Sequence, residues 1–428
     1  MIDITLVRKD PDFIARMAAS KGVSVDVARL VAVDERRREL DGQVAEVNRE
    51  RKEAAASKDV VRGRTLKEKL AALEEEQGKV MGEFESLLLS LPNIPSEDTP
   101  VGPDESANVV VRSVGEPKEF SFKPKDHVEI GEMLGLIDTK RAAKVSGTRF
   151  GYFFGDAVRL QFAIVQFALD VLQDEKLLAK IAKKAGLKIS PKPFVPVIPP
   201  VFIQPEIFAR MARLEPKDER YYIPSDDQYL VGSAEHTLGP LHLEETLKEE
   251  DLPIRYAGYS TSFRREAGSY GKDTHGMLRV HQFDKLEMES FTAPENGLVE
   301  QDFFVAIQEY LVSALELPYR VVLCSTGDQG SPDARHLDIE IWMPGEGKYR
   351  ETHSADYMTD YQSRRLRTRV KRANGEIAFV HMNDATVFAI GRTLIAILEN
   401  GQQKDGTVAV PSVLRPYVGK EVIGAPHD

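Results

Sequence analysis

Cysteine is nearly absent from this chain. Among 428 residues there is one, Cys324, which excludes a disulfide framework and a multi-cysteine zinc site and points to a reducing compartment. Long apolar runs are missing too. The longest, Leu160 to Leu172, is interrupted by Gln161, Gln166 and Asp170, so it reads as a buried helix rather than a membrane span. The N-terminus, MIDITLVRKDPDF, carries charge too early for a secretory signal. A cytoplasmic protein with no membrane partner is the expectation. Neither a GxxxxGKS/T loop nor a GxGxxG after a strand occurs, so any nucleotide is bound by another arrangement. A basic excess is also lacking. The net charge of −11 argues against a uniformly basic coat, yet leaves room for a local nucleic-acid patch.

The length suggests two domains with a large core, and the composition, 42% hydrophobic and 29% charged, is that of an ordinary soluble protein. From about Val27 to Leu91 a heptad seam runs through Leu30, Val33, Leu40, Val44 and Val47, with Arg37 filling one slot. After a break at residues 57–63 it resumes at Leu66, Leu70, Leu73, Gln77, Val80, Phe84, Leu87 and Leu91. This predicts an antiparallel coiled-coil hairpin, each leg on the order of 40 Å long. Between Arg49 and Lys69 eight lysines and arginines stand against four acids. Arg49, Arg51, Lys52, Arg62 and Arg64 are candidates for attachment to phosphates, though a helix pair laced with charge for solubility has the same pattern. Pro92-Asn93-Ile94-Pro95 ends the hairpin and a Pro/Ser/Asp/Glu-rich linker runs to about Ala107. The rest, 108–428, mixes helices with alternating strands, an α+β domain.

Tyr259 to Phe291 reads as two strands joined by a glycine-bearing loop, Ala267 to His275. In the second strand a period of two puts Arg279, His281, Phe283, Lys285, Glu287 and Glu289 on one face, and Leu278, Val280, Leu286 and Met288 on the other. A solvated ribbon with cross-strand ion pairs shows the same alternation. The density of charge around one aromatic, with Gly268, Gly271, Lys272 and His275 in the loop, weakens that reading and keeps a phosphate-facing surface open beside it. Further on, Glu351 and Ser354 offer two hard oxygens suited to Mg²⁺ on a polyphosphate; a charged strand end has the same spacing. Val387 to Leu398 reads as a nearly apolar helix with one charge, Arg392. Burying it demands an anion, either a protein carboxylate or a ligand phosphate.

These stretches carry a resemblance. Phe263-Arg264-Arg265-Glu266, with Arg279-Val280-His281-Gln282-Phe283-Asp284-Lys285-Leu286-Glu287, resembles motif 2 of class II aminoacyl-tRNA synthetases in its seryl form. Ser233-Ala234-Glu235 resembles the Thr-Ala-Glu triplet that holds serine. Arg350-Glu351-Thr352-His353-Ser354, followed by Asp360-Tyr361-Gln362-Ser363-Arg364-Arg365, is similar to the Glu-x-x-Ser and DFQARR signatures. Gly391-Arg392-Thr393-Leu394 resembles motif 3, and Pro199-Pro200 resembles motif 1 at the dimer two-fold. The matches keep the family's order over essentially the whole chain. The resemblance implies a class II antiparallel sheet at 108–428 behind an N-terminal tRNA-binding domain at 1–107. It implies an enzyme that activates L-serine with ATP and Mg²⁺ and transfers it to tRNA(Ser), as a homodimer with no DNA partner. Catalysis would fall to Arg264, Glu266 and Arg392. ATP would be held by these with Arg265, Arg279, Val280, Phe283, Glu351, Thr352, His353 and Ser354, where Glu351 and Ser354 carry Mg²⁺. Serine would be held by Ser233, Ala234, Glu235, Arg264, Glu287, Asp384 and Thr386, and tRNA by the basic hairpin residues named above.

The departures fall on the amino-acid pocket. The Gly-rich GTGQLPKF segment has no counterpart, residues 209–222 being different sequence. Asp384 stands where the family carries asparagine, and Gly401 stands where an aromatic is common. The rivals are a ligase charging a carrier protein, a non-catalytic RNA-binding scaffold, and an enzyme for another amino acid such as threonine. The basic hairpin opposes the first, and Arg264, Glu266, Glu351 and Arg392 together oppose the second.

Overall fold

The structure, a computed structural model, describes residues 1–267 and 276–424. Gly268, Gly271, Lys272 and His275 of the expected phosphate-facing loop lie outside the described residues. The chain divides into two compact units, Met1–Pro95 and Ser96–Asp428. The boundary therefore falls earlier than the sequence suggested. Residues 96–107 are tied to the second unit: Ser96 N donates to Ala334 O at 2.7 Å, Thr326 N to Pro100 O at 2.8 Å, and Ser325 Oγ to Asp104 O at 2.8 Å.

In the first unit α1 (Ile4–Lys9) and α2 (Pro11–Ser20) precede two long helices, α3 (Val27–Ala56) and α4 (Val60–Ser90). Asp26 and Asp59 cap the long pair, each accepting from a backbone N–H three residues on. The seam is buried as its spacing requires, at Leu30, Val33, Leu40 and Val47 against Leu66, Leu70 and Phe84, although Leu88 takes the place expected of Leu87. The Arg37 slot is a polar layer. Its guanidinium lies 4.9 Å over the Phe84 ring and pairs with Asp34 and Asp41 at 3.0 Å, and Gln77 donates to Asp41 at 2.7 Å. Such a layer fixes helix register. Asp34 is buried and also takes Arg8 at 2.7 Å, pinning α1 to the hairpin.

The second unit is built on an eight-stranded sheet: β1 (Val109–Val114), β2 (Val195–Val197), β3 (Ile254–Phe263), β4 (Gln282–Thr292), β5 (Tyr319–Leu323), β6 (Arg335–Met343), β7 (Lys348–Tyr357) and β8 (His381–Ala389), in the order β1-β5-β6-β7-β8-β4-β3-β2. All neighbours are antiparallel except β2 and β3. The period of two gives the sheet one apolar face: Leu286, Met288, Ile339, Ala355, Ala385 and Val387 share a core with α5 (Asp156–Gln173), α6 (Gly297–Ala314) and α7 (Ile390–Gly401). Two buried amides of α6 lock it to strand carbonyls. Gln301 donates to Arg335 O and Ala355 O, and Gln308 to Ser354 O and Thr386 O. Arg255 on β3 and Glu300 on α6, both fully buried, form a two-pronged pair at 2.6 and 2.8 Å. The other face carries the polar residues. Among the described residues no helix is long and apolar enough to cross a membrane.

Two readings of local structure are corrected. Arg279, Val280 and His281 precede the strand, since β4 starts at Gln282. The helix expected from Val387 is strand through Ala389 and helical from Ile390, so Arg392 sits in the first turn of α7.

Candidate active site

The polar face of β4, β7 and β8 forms the floor of a cleft of about 510 Å³. Arg264 leaves the end of β3, donates from Nε to Gly232 O at 3.2 Å, and holds its guanidinium 5.4 Å from the Phe283 ring centre. That contact fixes a flat cation beside an aromatic platform. Arg279 pairs with Glu266 at 3.1 Å at the rim. Arg392 pairs with the Glu351 carboxylate at 3.1 Å and donates to the Glu351 carbonyl at 2.7 Å. Burial pushes the Glu351 carboxyl up, but Arg392 outweighs it and draws the group down to about 2. It is therefore a firm anion at neutral pH.

Glu351 and Ser354 would fall on opposite faces of a regular strand. A β-bulge decides otherwise. Ile339 pairs with His353 and Glu340 with Glu351, so Thr352 is the extra residue. The alternation shifts by one, and Glu351, Thr352 and Ser354 all line the cleft. Ser354 Oγ lies 3.1 Å from Thr386 Oγ1 on β8. The same bulge turns His353 inward. It is fully buried, with its ring 5.5 Å from Phe388, and burial pulls it down to about 3. Its side chain is thus in the core and not among the cleft-lining groups. Arg265 also turns aside, over the Tyr221 ring at 5.5 Å, whereas Val280 lines the cleft.

The second half of the site is more buried. Glu287, 1% exposed, accepts from Ser233 Oγ and from the Glu235 backbone N–H at 3.0 Å, and pairs with Lys285. Ala234, fully buried, leads into the one-turn helix Glu235–Leu238 that aims Glu235 at the cleft. His236 behind it accepts from Gly232 N–H at 3.0 Å, and burial pulls it down to about 4.

Strand register then lines up Glu289, Asp384, Asp356 and His336 as direct neighbours across β4, β8, β7 and β6. Burial pushes Glu289 and Asp384 well above the carboxylate range, and the neighbouring acids add to it. His336 is held well above its ordinary value; burial lowers it, but Asp356 and Asp338 on either side outweigh that. Over this row lies Arg213, whose guanidinium meets Glu235 at 3.0 Å, Asp333 and Asp356 at 3.2 Å and Asp384 at 3.3 Å. Glu235, Asp356 and Asp384 are spaced like ligands of a cation, and the cation among them is this guanidinium.

Of the residues expected from the sequence, Ser233, Glu235, Arg264, Glu266, Arg279, Val280, Phe283, Glu351, Thr352, Ser354, Thr386 and Arg392 line one cleft. Glu287 and Asp384 are buried beside it. Lys285, placed on the polar face but given no role, lines it too, as do Arg213, His336 and Asp356, which were not foreseen. A run that matches no pattern, as 209–222 does, gave no signal for Arg213 except the unexplained acid at 384. The hairpin residues Arg49, Lys52, Arg62 and Arg64 are exposed and Arg51 is half-buried. Arg62 lies a loose 3.8 Å from Glu50 and Arg64 3.6 Å from Glu68.

Both units match known proteins. Residues 220–401 match the tRNA synthetase class II core domain (G, H, P, S and T), and residues 1–95 match the seryl-tRNA synthetase N-terminal domain. The serine–tRNA ligase of Thermodesulfovibrio yellowstonii is 37% identical over 440 residues, covering 99% of this chain and 100% of that protein. The crystal structure of seryl-tRNA synthetase from Pyrococcus horikoshii, complexed with ATP, superposes with a TM-score of 0.90 at 34% identity, covering 100% of both chains. The cytoplasmic serine–tRNA ligase of Naegleria fowleri, in complex with AMP, gives 0.87 at 32% identity over 100% of this chain and 99% of that one. With near-complete coverage at such identity, and with both domains matched, the chain belongs to the seryl-tRNA synthetase family.

Proposed function

We propose that this protein is an ATP-dependent serine–tRNA ligase. The observation that carries the reading is the division of one cleft into two chemically distinct ends. Arg264 lies against the Phe283 platform at one end, and Arg279 and Arg392 line the same cleft. Ser233, Glu235, Glu287 and Thr386 gather hydroxyls and carboxylates at the other. The first end suits a polyphosphate with a flat base, the second a small hydroxylated ammonium compound. The serine carboxylate attacks the α-phosphorus of ATP, the bond to the bridging oxygen breaks, and pyrophosphate leaves with seryl-adenylate retained. The terminal adenosine hydroxyl of tRNA(Ser) then takes the acyl group and AMP departs.

The chain's own part is position and charge. Arg264, beside Phe283, meets the charge that develops at the α-phosphate while the platform holds the adenine. Arg279 and Arg392 take the distal phosphates, Glu266 orienting the first. Glu235 and Glu287 draw the ammonium, and Ser233 and Thr386 read the hydroxyl. Glu351 and Ser354 fit a Mg²⁺ ion, since the bulge at Thr352 turns both toward the cleft and Glu351 is firmly ionised. When bound, Mg²⁺ neutralises phosphate charge.

The basic residues of the α3–α4 hairpin would take tRNA phosphates. A homodimer through the segment around Pro199-Pro200 is supported by its apolar exposure, Val195 at 56% and Ile198 at 85%. A cytoplasmic location accords with the single, free cysteine.

Amino-acid-dependent pyrophosphate exchange tests the reading. Serine should support exchange and alanine should fall short by roughly 10⁴-fold, because a site built around a hydroxyl rejects the analogue without it. Equal rates with alanine or threonine would remove serine as the substrate.

A further inference from the structure

Two of the three places where this chain departs from the family's sequence pattern meet in space. Arg213 belongs to the unmatched stretch 209–222, and Asp384 is the acid found where asparagine is expected. They are 171 residues apart in sequence, and their side chains lie 3.3 Å apart. Resting on the functional reading above, we infer that Arg213 is a positioning residue for the amino-acid substrate and that Arg213 and Asp384 act as a matched pair.

The geometry is specific. The Arg213 side chain is 14% exposed, and the carboxylates it holds are more buried still: 10% for Glu235, 7% for Asp356, 4% for Asp384 and 2% for Asp333. Four acids converging on one guanidinium are not a surface ion pair. Each would repel the others or leave its place if the cation were missing. Glu235 is the carboxylate of this set that the functional reading places on the substrate ammonium. Arg213 Nε lies 3.0 Å from it, an ion-pair contact, and the guanidinium outweighs burial to hold that carboxyl well below the usual carboxylate range. Asp384 adds one more acid to a row already holding Glu289 and Asp356. An arginine reaching over that row is the complement such an acid requires. Arginine suits this post better than lysine, since its planar fork can address several carboxylates at once. Among the described residues the ion pairs of Arg213 reach neither Phe283 nor Glu351, two of the groups assigned to ATP, so its effect should fall on one substrate.

A double-mutant cycle in the full chain tests this, with serine-dependent pyrophosphate exchange read as separate KM values for serine and ATP. Arg213→Ala should raise the serine KM by about 30-fold or more and leave the ATP KM within about threefold. Made in an Asp384→Asn protein, the same change should raise the serine KM by only about fivefold. That coupling of about sixfold corresponds to ~1 kcal/mol, within the range for side chains in contact. If Arg213→Ala does not fold, Arg213→Lys carries the comparison, because one ammonium cannot hold four carboxylates. It should raise the serine KM about fivefold, and by less than half of that in the Asp384→Asn background. Parallel loss for both substrates, or effects in the two backgrounds that agree within twofold, would overturn the inference while leaving the functional reading intact. Absence of serine-dependent exchange in the unaltered protein would instead overturn the functional reading and this inference together.

Discussion

Arg264→Ala separates what this arginine does for folding from what it does for chemistry. Among the described residues its guanidinium makes one hydrogen bond, to Gly232 O at 3.2 Å, and lies 5.4 Å from the Phe283 ring. A part-buried hydrogen bond is worth about 1 kcal/mol, and a partly exposed cation–π contact about 0.5–1 kcal/mol. The truncated protein should therefore lose at most about 2 kcal/mol of stability, against the 5–15 kcal/mol typical of a folded domain. The catalytic loss should be larger. A single donor aimed at charge that develops in the transition state contributes roughly 10²–10³-fold, about 3–4 kcal/mol. Urea unfolding should show a small shift in midpoint with an unchanged slope, while pyrophosphate exchange at saturating serine and ATP falls by at least about 10²-fold. Arg264→Lys should recover little, since an ammonium cannot reproduce the planar contact with Phe283. A folded Arg264→Ala protein that exchanges pyrophosphate at a near-normal rate would refute the assignment of this end of the cleft to the reacting phosphate.

Four further outcomes are expected. Replacing residues 28–88 by a short Gly/Ser linker should leave serine-dependent exchange within a few-fold and sharply raise the tRNA KM in aminoacylation; equal charging by both forms would mean the hairpin is not the tRNA reader. Reversing Arg49, Arg51, Lys52, Arg62 and Arg64 should flatten the salt dependence of tRNA binding, each lost phosphate contact lowering the log–log slope by about 0.7–0.9. Arg255→Met strands the fully buried Glu300 and should cost about 3–5 kcal/mol, most of it regained in Arg255→Met/Glu300→Leu; a double variant no more stable than the single would argue against this account. Acid should destabilise the second unit: burial pulls His236 to about 4 and His353 to about 3, so as pH falls below about 6.5 the unfolded chain takes up these protons first, and each site contributes up to about 1.4 kcal/mol per pH unit. His336, raised instead, supplies stability that is full below about 6.5 and lost as pH rises through its folded value. His353→Gln should shallow the acid limb in urea titrations between pH 7 and 5, and an unchanged limb would exclude His353 as a contributor.

The hairpin was legible because heptad spacing is a local property. Leu30, Val33 and Leu40 need only a partner helix, and α4 follows within a few residues. The same period of two that was read on residues 282–289 sorted Leu286 and Met288 from Phe283 and Glu287 correctly. What escaped the sequence depends on pairing between distant strands. Strand propensity does not mark where β4 begins, because Arg279 to His281 are compatible with a strand until the register with β3 ends at Gln282–Phe263. The extra residue at Thr352 exists only relative to β6, so the inward turn of His353 could not be read from Glu-Thr-His-Ser alone. Arg213 is the extreme case. Its partners lie on a one-turn helix, on β7, on β8 and in the turn before β6, and nothing local to residues 209–222 announces any of them.

The two ends of the cleft hold their charges in different ways, and the difference bears on how the site works. Toward the polyphosphate end, Arg392 and Arg279 are each paired with a carboxylate, Glu351 or Glu266, and the pairs stay partly open, with side-chain exposures of 26% and 52% for the first and 35% and 13% for the second. Such pairs hold the guanidinium in its rotamer at modest free energy, and a phosphate oxygen can take over the same N–H groups at little cost because water already reaches them. At the amino-acid end the pairs are closed. Glu287 with Lys285 and Arg213 with its four acids are nearly inaccessible, and opening any of them would leave an uncompensated buried charge. Exchangeable partners suit the end proposed for ATP, where charge would be handed to a large substrate and recovered when pyrophosphate leaves. Fixed partners suit the end proposed for serine, which would measure one hydroxyl and one ammonium and where a shift of about 1 Å costs roughly 10²-fold.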